Sequence, residues 1–248
     1  MFPILQVGPL AIQVPGLILL IGIWLGLSLA EKTAPQRGIP SNTLYNLVFF
    51  GLIAGIIGAR LSYVIRYPNI FIDNPASIIS LNPGLLDLWG GAVTAFIVIL
   101  IYAQRKKLAV WQTLDALTPF LGVMALAIGL AHAASGAAFG FETDLPWAIE
   151  LWGAQRHPSQ IYETLAAVII LIIMWPKRSI WKTTEPGIYF LTFFAFSAAA
   201  HLFLEAFRGD SVLLLGGFRS AQVIAWAALA FSIWGIYRLQ NKDRTASG

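Results

Sequence analysis

Residues 44–65 read LYNLVFFGLIAGIIGARLSYVI, a largely apolar run broken by one charge, Arg60. A helix needs roughly 20 such residues to cross the hydrocarbon core of a bilayer, so the stretch predicts a membrane span. Gly51, Gly55 and Gly58 recur at helical spacing within it and make a face on which a second helix can pack closely. Six more stretches read the same way: Leu10–Ala30, Leu88–Ala103, Val110–Gly136, Ser159–Trp175, Gly187–Phe207 and Phe218–Tyr237. The second of these is short, and Leu85 and Leu86 are expected to extend it. None shows the ten-residue alternation of a membrane barrel. The expected fold is all-α: a polytopic membrane protein of about seven helices, a single integral domain over residues 1–248, with a structured outer face.

Composition agrees. Of 248 residues, 58% are hydrophobic and 11% charged, against about 25% charged in soluble proteins. So few polar residues cannot coat a water-facing surface. Cysteine is absent, which excludes a disulfide, a thiolate metal site and a cysteine nucleophile of the chain's own. The opening MFPILQVGPLAIQVPG lacks a basic n-region, so the first apolar stretch is expected to stay as a span.

Basic residues set the expected orientation. Lys32, Arg37, Arg105, Lys106, Lys107, Lys177, Arg178, Lys182, Arg238, Lys242 and Arg244 fall on one side, eleven of the sixteen. The other side holds Arg66, Arg156, Arg208 and Arg219 with Asp73, Asp87, Glu142, Asp144, Glu150 and Asp210. The first side is therefore expected to be cytoplasmic, with the C-terminus there and the N-terminus outside. Two outer segments, YPNIFIDNPASIISLNPGLLDLWGG and FETDLPWAIELWGAQRHPSQ, are too polar to span yet apolar enough to lie among headgroups.

Ionisable residues within spans are costly and are functional candidates. Arg60 either snorkels to the interface or, with Arg208, offers guanidinium forks to phosphate oxygens. Glu163 sits three residues after Gln160 on one helix face, as a first-turn charge or as part of a site. His201, Glu205 and Arg208 fall on one helical stripe, where Glu205 and Arg208 either pin helices or bind a ligand. Asp115, near a helix start, reads as a structural cap. His132, His157 and His201 show no metal-ligand spacing, and no glycine-rich phosphate loop follows a strand. Neither metal, cofactor nor nucleic acid is expected, because orientation already explains the basic clusters.

RHPSQIYE, Arg156 to Glu163, resembles the loop-to-helix motif of the bacterial phosphatidylglycerol–prolipoprotein diacylglyceryl transferases. The resemblance extends over nearly the full length. VGPLAIQVPG resembles that family's opening segment, GARLSYV keeps Arg60 and Tyr63, LWGG keeps Gly90 and Gly91, and LEAFRGD keeps Glu205 and Arg208. Gln222 matches a glutamine at the start of the last span. The resemblance implies an enzyme of the bacterial cytoplasmic (inner) membrane. It would move the diacylglyceryl group of phosphatidylglycerol to the lipobox cysteine of a prolipoprotein, releasing glycerol phosphate and needing no cofactor. On the matching motifs, Arg60, Gly90, Gly91, Arg156, His157, Gln160, Glu163 and Arg208 would bind substrate.

The sequence departs from the family pattern around the expected chemistry. Trp89 stands where the family usually has histidine and Pro15 where it has tyrosine. In the fourth span, IGLAHAASGAAFG (Ile128–Gly140) has Gly129 for the signature's arginine, His132 and Ser135 for its asparagines and Ala137 for its glutamate. His201 replaces the sixth-span arginine. The candidate catalytic residues are therefore His201, oriented by Glu205 one turn below, and then His132. The competing class is a non-catalytic phospholipid-binding relative or a subunit of a larger membrane complex. A transporter using Glu163 and Glu205 as an ion path is the remaining one. Arg60, Arg156 and Arg208 are expected to converge within about 10–12 Å, one helix diameter. RHPSQIYE is expected to form a rigid corner with Ser159 capping its helix.

Overall fold

Small residues decide where the helices touch. The computed structural model describes residues 4–7, 10–72, 75–79, 83–176, 185–214 and 218–246. Lys177, Arg178, Lys182 and Asp73, used above for orientation, lie outside the described residues. Helix α1 (Val14–Thr33) lies against α5 (Val110–Ser135), with Gly22 facing Ala127 and Gly26 facing Phe120. Helix α2 (Ser41–Arg66) lies against α4 (Leu88–Arg105) through the glycine face read from the sequence. A Cβ at Gly51 would stand 2.7 Å from Ile99 Cδ1, and one at Gly91 2.8 Å from the Gly55 carbonyl. The short α3 (Asn69–Ile72) follows α2. Helices α6 (Ser159–Ile173), α7 (Ile188–Leu204) and α8 (Ser220–Ala246) complete the bundle, α6 and α7 both packing on α5, and α8 on α7.

The polarity of the bundle is that of a protein in lipid. Buried positions of α5 are Thr113, Asp115, Ala116, Thr118, Pro119, Gly122, Ala127, Gly129 and Ala131, whereas Leu20, Trp24, Ile65 and Leu88 face outward. Close van der Waals approach of small residues holds such helices, since lipid tails are as apolar as leucine. Several hydroxyls in the apolar interior are satisfied within their own helices: Thr113 donates to Ala109 O, Thr118 to Leu114 O and Ser232 to Ala228 O. Among the described residues, six helices are long and apolar enough to cross a membrane. The seventh, α6, has 15 residues, about 22 Å at 1.5 Å per residue. It stops at Ile173 because Trp175 precedes Pro176, a position biased against helix.

Of the boundaries that differ from the sequence reading, three change the kind of structure. Leu10–Gln13 is not helix but strand β2, paired antiparallel with β1 (Ile4–Val7) in register Val7↔Leu10 and Ile4↔Gln13. Helix α1 begins at Val14, where Pro15 suits the first turn because its missing amide hydrogen has no partner there anyway. Leu85 does not lengthen α4 but ends a separate 3-10 turn, Pro83–Leu85, and Asp87 caps α4 by accepting from the Gly90 amide at 2.8 Å. Helix α7 stops at Leu204, and Glu205–Phe207 tighten into a 3-10 turn that leaves Arg208 extended. Glu205 keeps the helical bond from its amide to His201 O, so the stripe read for His201, Glu205 and Arg208 is broken only at Arg208, which is extended.

The α2–α4 contact supplies a direct test of the packing. Gly91→Ala is expected to lower stability by about 1–3 kcal/mol, the usual cost of overpacking, because the new methyl meets backbone rather than a movable side chain. Gly16→Ala, where an added Cβ meets nothing within 4 Å, is expected to be neutral or better. Thermal unfolding of both variants in the same detergent checks the contrast.

Candidate functional site

The segment joining α5 to α6 builds one end of the molecule. Gly136 (φ 77°) ends α5 in the left-handed conformation that favours glycine. The chain then bends at Ala138 (φ 55°), passes Gly140, turns, and forms the hairpin of β3 (Ile149–Leu151) and β4 (Ala154–Arg156). Residues 139–142 form a strip between two arginine-bearing segments, with Gly140 bridged to Arg208 and Glu142 to Arg156. The Phe141 amide donates to Phe207 O at 3.0 Å and that of Gly209 to Phe139 O at 2.8 Å. The approach is close enough that a Cβ at Gly140 would stand 2.6 Å from His157 Cβ.

RHPSQIYE makes the corner between this strip and α6. Arg156 spends its fork on the strip: Nε donates to Leu151 O at 3.1 Å, and the two terminal nitrogens to Gly140 O at 3.3 Å and Glu142 Oε1 at 2.9 Å. Ser159 does not cap its helix; its hydroxyl donates instead to the carbonyl of Ala138. Gln160, 1% exposed, donates from Nε2 to Ala137 O at 3.0 Å. Among the described residues, Gln160 Oε1 and His157 Nδ1 are buried without a hydrogen-bond partner.

Glu163 is the polar link between α6 and α5. Its Oε2 lies 2.8 Å from His132 Nδ1, with the side chains 17% and 30% exposed. Next to His132, Gly129 lets the helices approach, since a Cβ there would stand 2.7 Å from Thr164 Oγ1. An arginine at 129, as in the family pattern, would not fit this interface.

Glu163 also lines a small pocket with Ala138, Ser159, His201, Leu204, Glu205 and Arg208. Glu205 is 3% exposed and pairs with Arg208 at 3.8 Å, and its carbonyl accepts from Arg219. Glu205 does not orient His201, because the 3-10 turn directs it to Arg208; among the described residues His201 has no hydrogen bond or ion pair. Arg208 is gripped by both oxygens of Asp210 at 2.9 and 3.0 Å. That pairing raises its pKa further and keeps it cationic. At 10 Å³ the pocket holds about one water, too little for a headgroup as it stands.

Beside it, sharing Leu204, lies an apolar groove of 740 Å³ between α6 and α7. Leu165, Ile169, Phe196 and Phe203 line its length, and Trp147, His157 and Tyr162 its polar end. There Trp147 Nε1 donates to Tyr162 Oη at 2.8 Å. The sequence reading missed this groove and also Arg219, which lies 4.7 Å over the Phe141 ring. In the sequence Arg219 reads only as an outer-side charge, the second residue of the Phe218–Tyr237 stretch.

Two other expected elements of the site make contacts of their own. Arg60 gives its whole fork to backbone carbonyls: Nε to Ile78 O at 2.6 Å, one terminal nitrogen to Leu85 O at 2.8 Å and the other to Ser77 O. Thus Arg156 and Arg208 meet around Gly140, while Arg60 serves the segment between α2 and α4. Gly90 and Gly91 pack against Ser62, Gly55 and Ala59 of α2. Near them Trp89, largely exposed, lines a second opening with Arg66 and Asp87, whose carboxyl the Gly90 amide holds below the usual range.

The fold and the cluster define a multi-pass membrane protein whose ionisable groups gather where an apolar groove opens. Residues 3–238 match the family model described as prolipoprotein diacylglyceryl transferase, and the chain belongs to that family. Over 241 residues it is 30% identical to the phosphatidylglycerol–prolipoprotein diacylglyceryl transferase of Staphylococcus aureus, covering 92% of this chain and 85% of that protein. The Synechococcus elongatus protein of the same name is 28% identical over 257 residues, covering 98% and 88%. That of Bordetella parapertussis is 31% identical over 191 residues, covering 73% and 71%.

Proposed function

We propose that this protein transfers the diacylglyceryl group of phosphatidylglycerol to the cysteine thiol of a prolipoprotein, through a site rearranged from the family pattern. One observation carries this reading: Glu205, paired with Arg208, and Glu163, paired with His132, line one small pocket that shares Leu204 with an apolar groove of 740 Å³. The thiol sulfur attacks the glyceryl carbon that bears the phosphate ester. The C–O bond breaks, glycerol phosphate leaves with the electron pair, and the thiol proton needs an acceptor. Arg208 meets the departing phosphate once it releases Asp210, since a guanidinium fork matches phosphate oxygens. His157 and Gln160 offer their unpartnered atoms to the headgroup. Arg60, Arg156, Gly90 and Gly91 act in this reading as framework that holds the site's walls. The N-terminus and the hairpin end lie outside the cytoplasmic membrane and the C-terminus inside, the orientation that the basic residues favour.

The test is direct. The purified protein, in nanodiscs containing phosphatidylglycerol, is given a lipobox peptide, and the thioether product is measured by mass spectrometry. Product that requires phosphatidylglycerol is the expected result. Retention of phospholipid through purification without any product would replace this reading with a non-catalytic lipid-binding one, and co-purification of other membrane subunits would point to a complex.

A further inference from the structure

Resting on the transferase reading, we propose that His132 is the base that removes the thiol proton and that Glu163 is its positioning residue. A carboxylate only accepts hydrogen bonds, so the 2.8 Å contact requires the proton on His132 Nδ1. That fixes the tautomer and leaves Nε2 with its lone pair free, the form a general base needs. The imidazole is 30% exposed, so a thiol can reach it. Glu163, which holds the ring, also lines the pocket that Arg208 lines, so the partner of the base and the phosphate acceptor share one cavity. The titratable and charged groups facing this pair are His201 at the end of α7 and Glu205 and Arg208 just beyond it.

His201 is the weaker candidate on the same criteria. Its ring has no partner among the described residues to set its tautomer, and Glu205 is committed to Arg208. If the His132–Glu163 contact served only to pin α5 to α6, the packing of Gly129 on Thr164 would already do that work.

In the transfer step, His132 Nε2 takes the proton as the sulfur–carbon bond forms and the carbon–oxygen bond to phosphate breaks. The imidazolium then returns the proton to the departing glycerol phosphate or to water, which closes the balance. A free thiol has a pKa near 8.5, so only a few per cent is thiolate at neutral pH, and a positioned base is worth about 10²–10⁴-fold in rate.

A nucleophile that needs no base separates this role from a structural one. A lipobox peptide carrying selenocysteine in place of cysteine presents a selenolate at neutral pH. With the cysteine peptide, His132→Gln is expected to lose about 100-fold or more in kcat; with the selenocysteine peptide it should stay within about threefold of the unmodified protein. Glu163→Gln, whose amide oxygen still accepts from Nδ1, should lose about tenfold with cysteine and almost nothing with selenocysteine. Equal losses with both peptides in both variants, or no loss with cysteine, would overturn the assignment while leaving the transferase reading intact. An unmodified protein inactive toward both peptides would overturn the transferase reading and this assignment with it.

Discussion

Asp115→Ala is expected to cost about 3–5 kcal/mol of stability, the usual penalty for removing one partner of a buried ion pair. The side chain of Asp115 is fully buried, and its two oxygens accept from the amides of Gly187 and Phe190, each at 2.8 Å. These are two of the orphan donors at the start of α7, so α5 caps a helix that begins far along the chain. Arg37, 3.6 Å away and lying over the buried Tyr189 ring, balances the charge. Tyr189 in turn donates its hydroxyl proton to Met174 O at the end of α6. Removing the carboxylate therefore loosens the 3-10 turn Ala34–Arg37 after α1, together with α5, α6 and α7, at one point. Asp115→Asn keeps one acceptor and should lose less than half as much. Guanidine-free thermal unfolding in a single detergent would measure both; a loss under about 1 kcal/mol for the alanine variant would mean that the amides are satisfied without Asp115.

Arg208→Ala is expected to remove about 10²–10³-fold of transfer rate, the scale of one lost donor to a developing charge. It also strands Glu205, 3% exposed, without its ion pair, so stability should fall together with activity. Two companions separate the effects. Arg208→Lys keeps a charge but not the bidentate fork, and should recover stability more than rate. Asp210→Asn frees the fork from its present partner and should raise affinity for phosphatidylglycerol severalfold with little loss of stability. Lipid binding and product formation measured on one preparation distinguish these outcomes. If Arg208→Ala kept full turnover, Arg219, which donates to the Glu205 carbonyl, would be the cation to examine next.

Much of this was legible in the residues. Apolar length gave the spans, because a bilayer's thickness is fixed and each span must satisfy its own backbone. The glycines of α2 announced a close helix contact before its partner was known, and α4 answers them with Gly91, Thr94 and Ala95. RHPSQIYE announced a corner, because proline restricts its neighbour and a short polar run cannot remain in lipid. The family too was readable, since its motifs are local strings of letters.

What stayed hidden depends on distance between elements. No periodicity within α5 says that His132 meets a carboxylate on α6, or that Asp115 caps α7 rather than its own helix. Helical spacing joined His201, Glu205 and Arg208, but a 3-10 turn at Glu205 gave that carboxylate to Arg208 instead. Arg60 and Arg208 looked equivalent as lone outer arginines. Tertiary structure separated them, because Arg60 found three loop carbonyls while Arg208 found carboxylates beside a pocket. The sequence by itself determined that the chain lives in a membrane, where its apolar helices lie and which family it joins, since solvent transfer and local motifs are properties of contiguous residues. Only the packed bundle decided which polar groups share a cavity, because hydrogen bonding selects partners within about 3 Å in space whatever their separation in the chain.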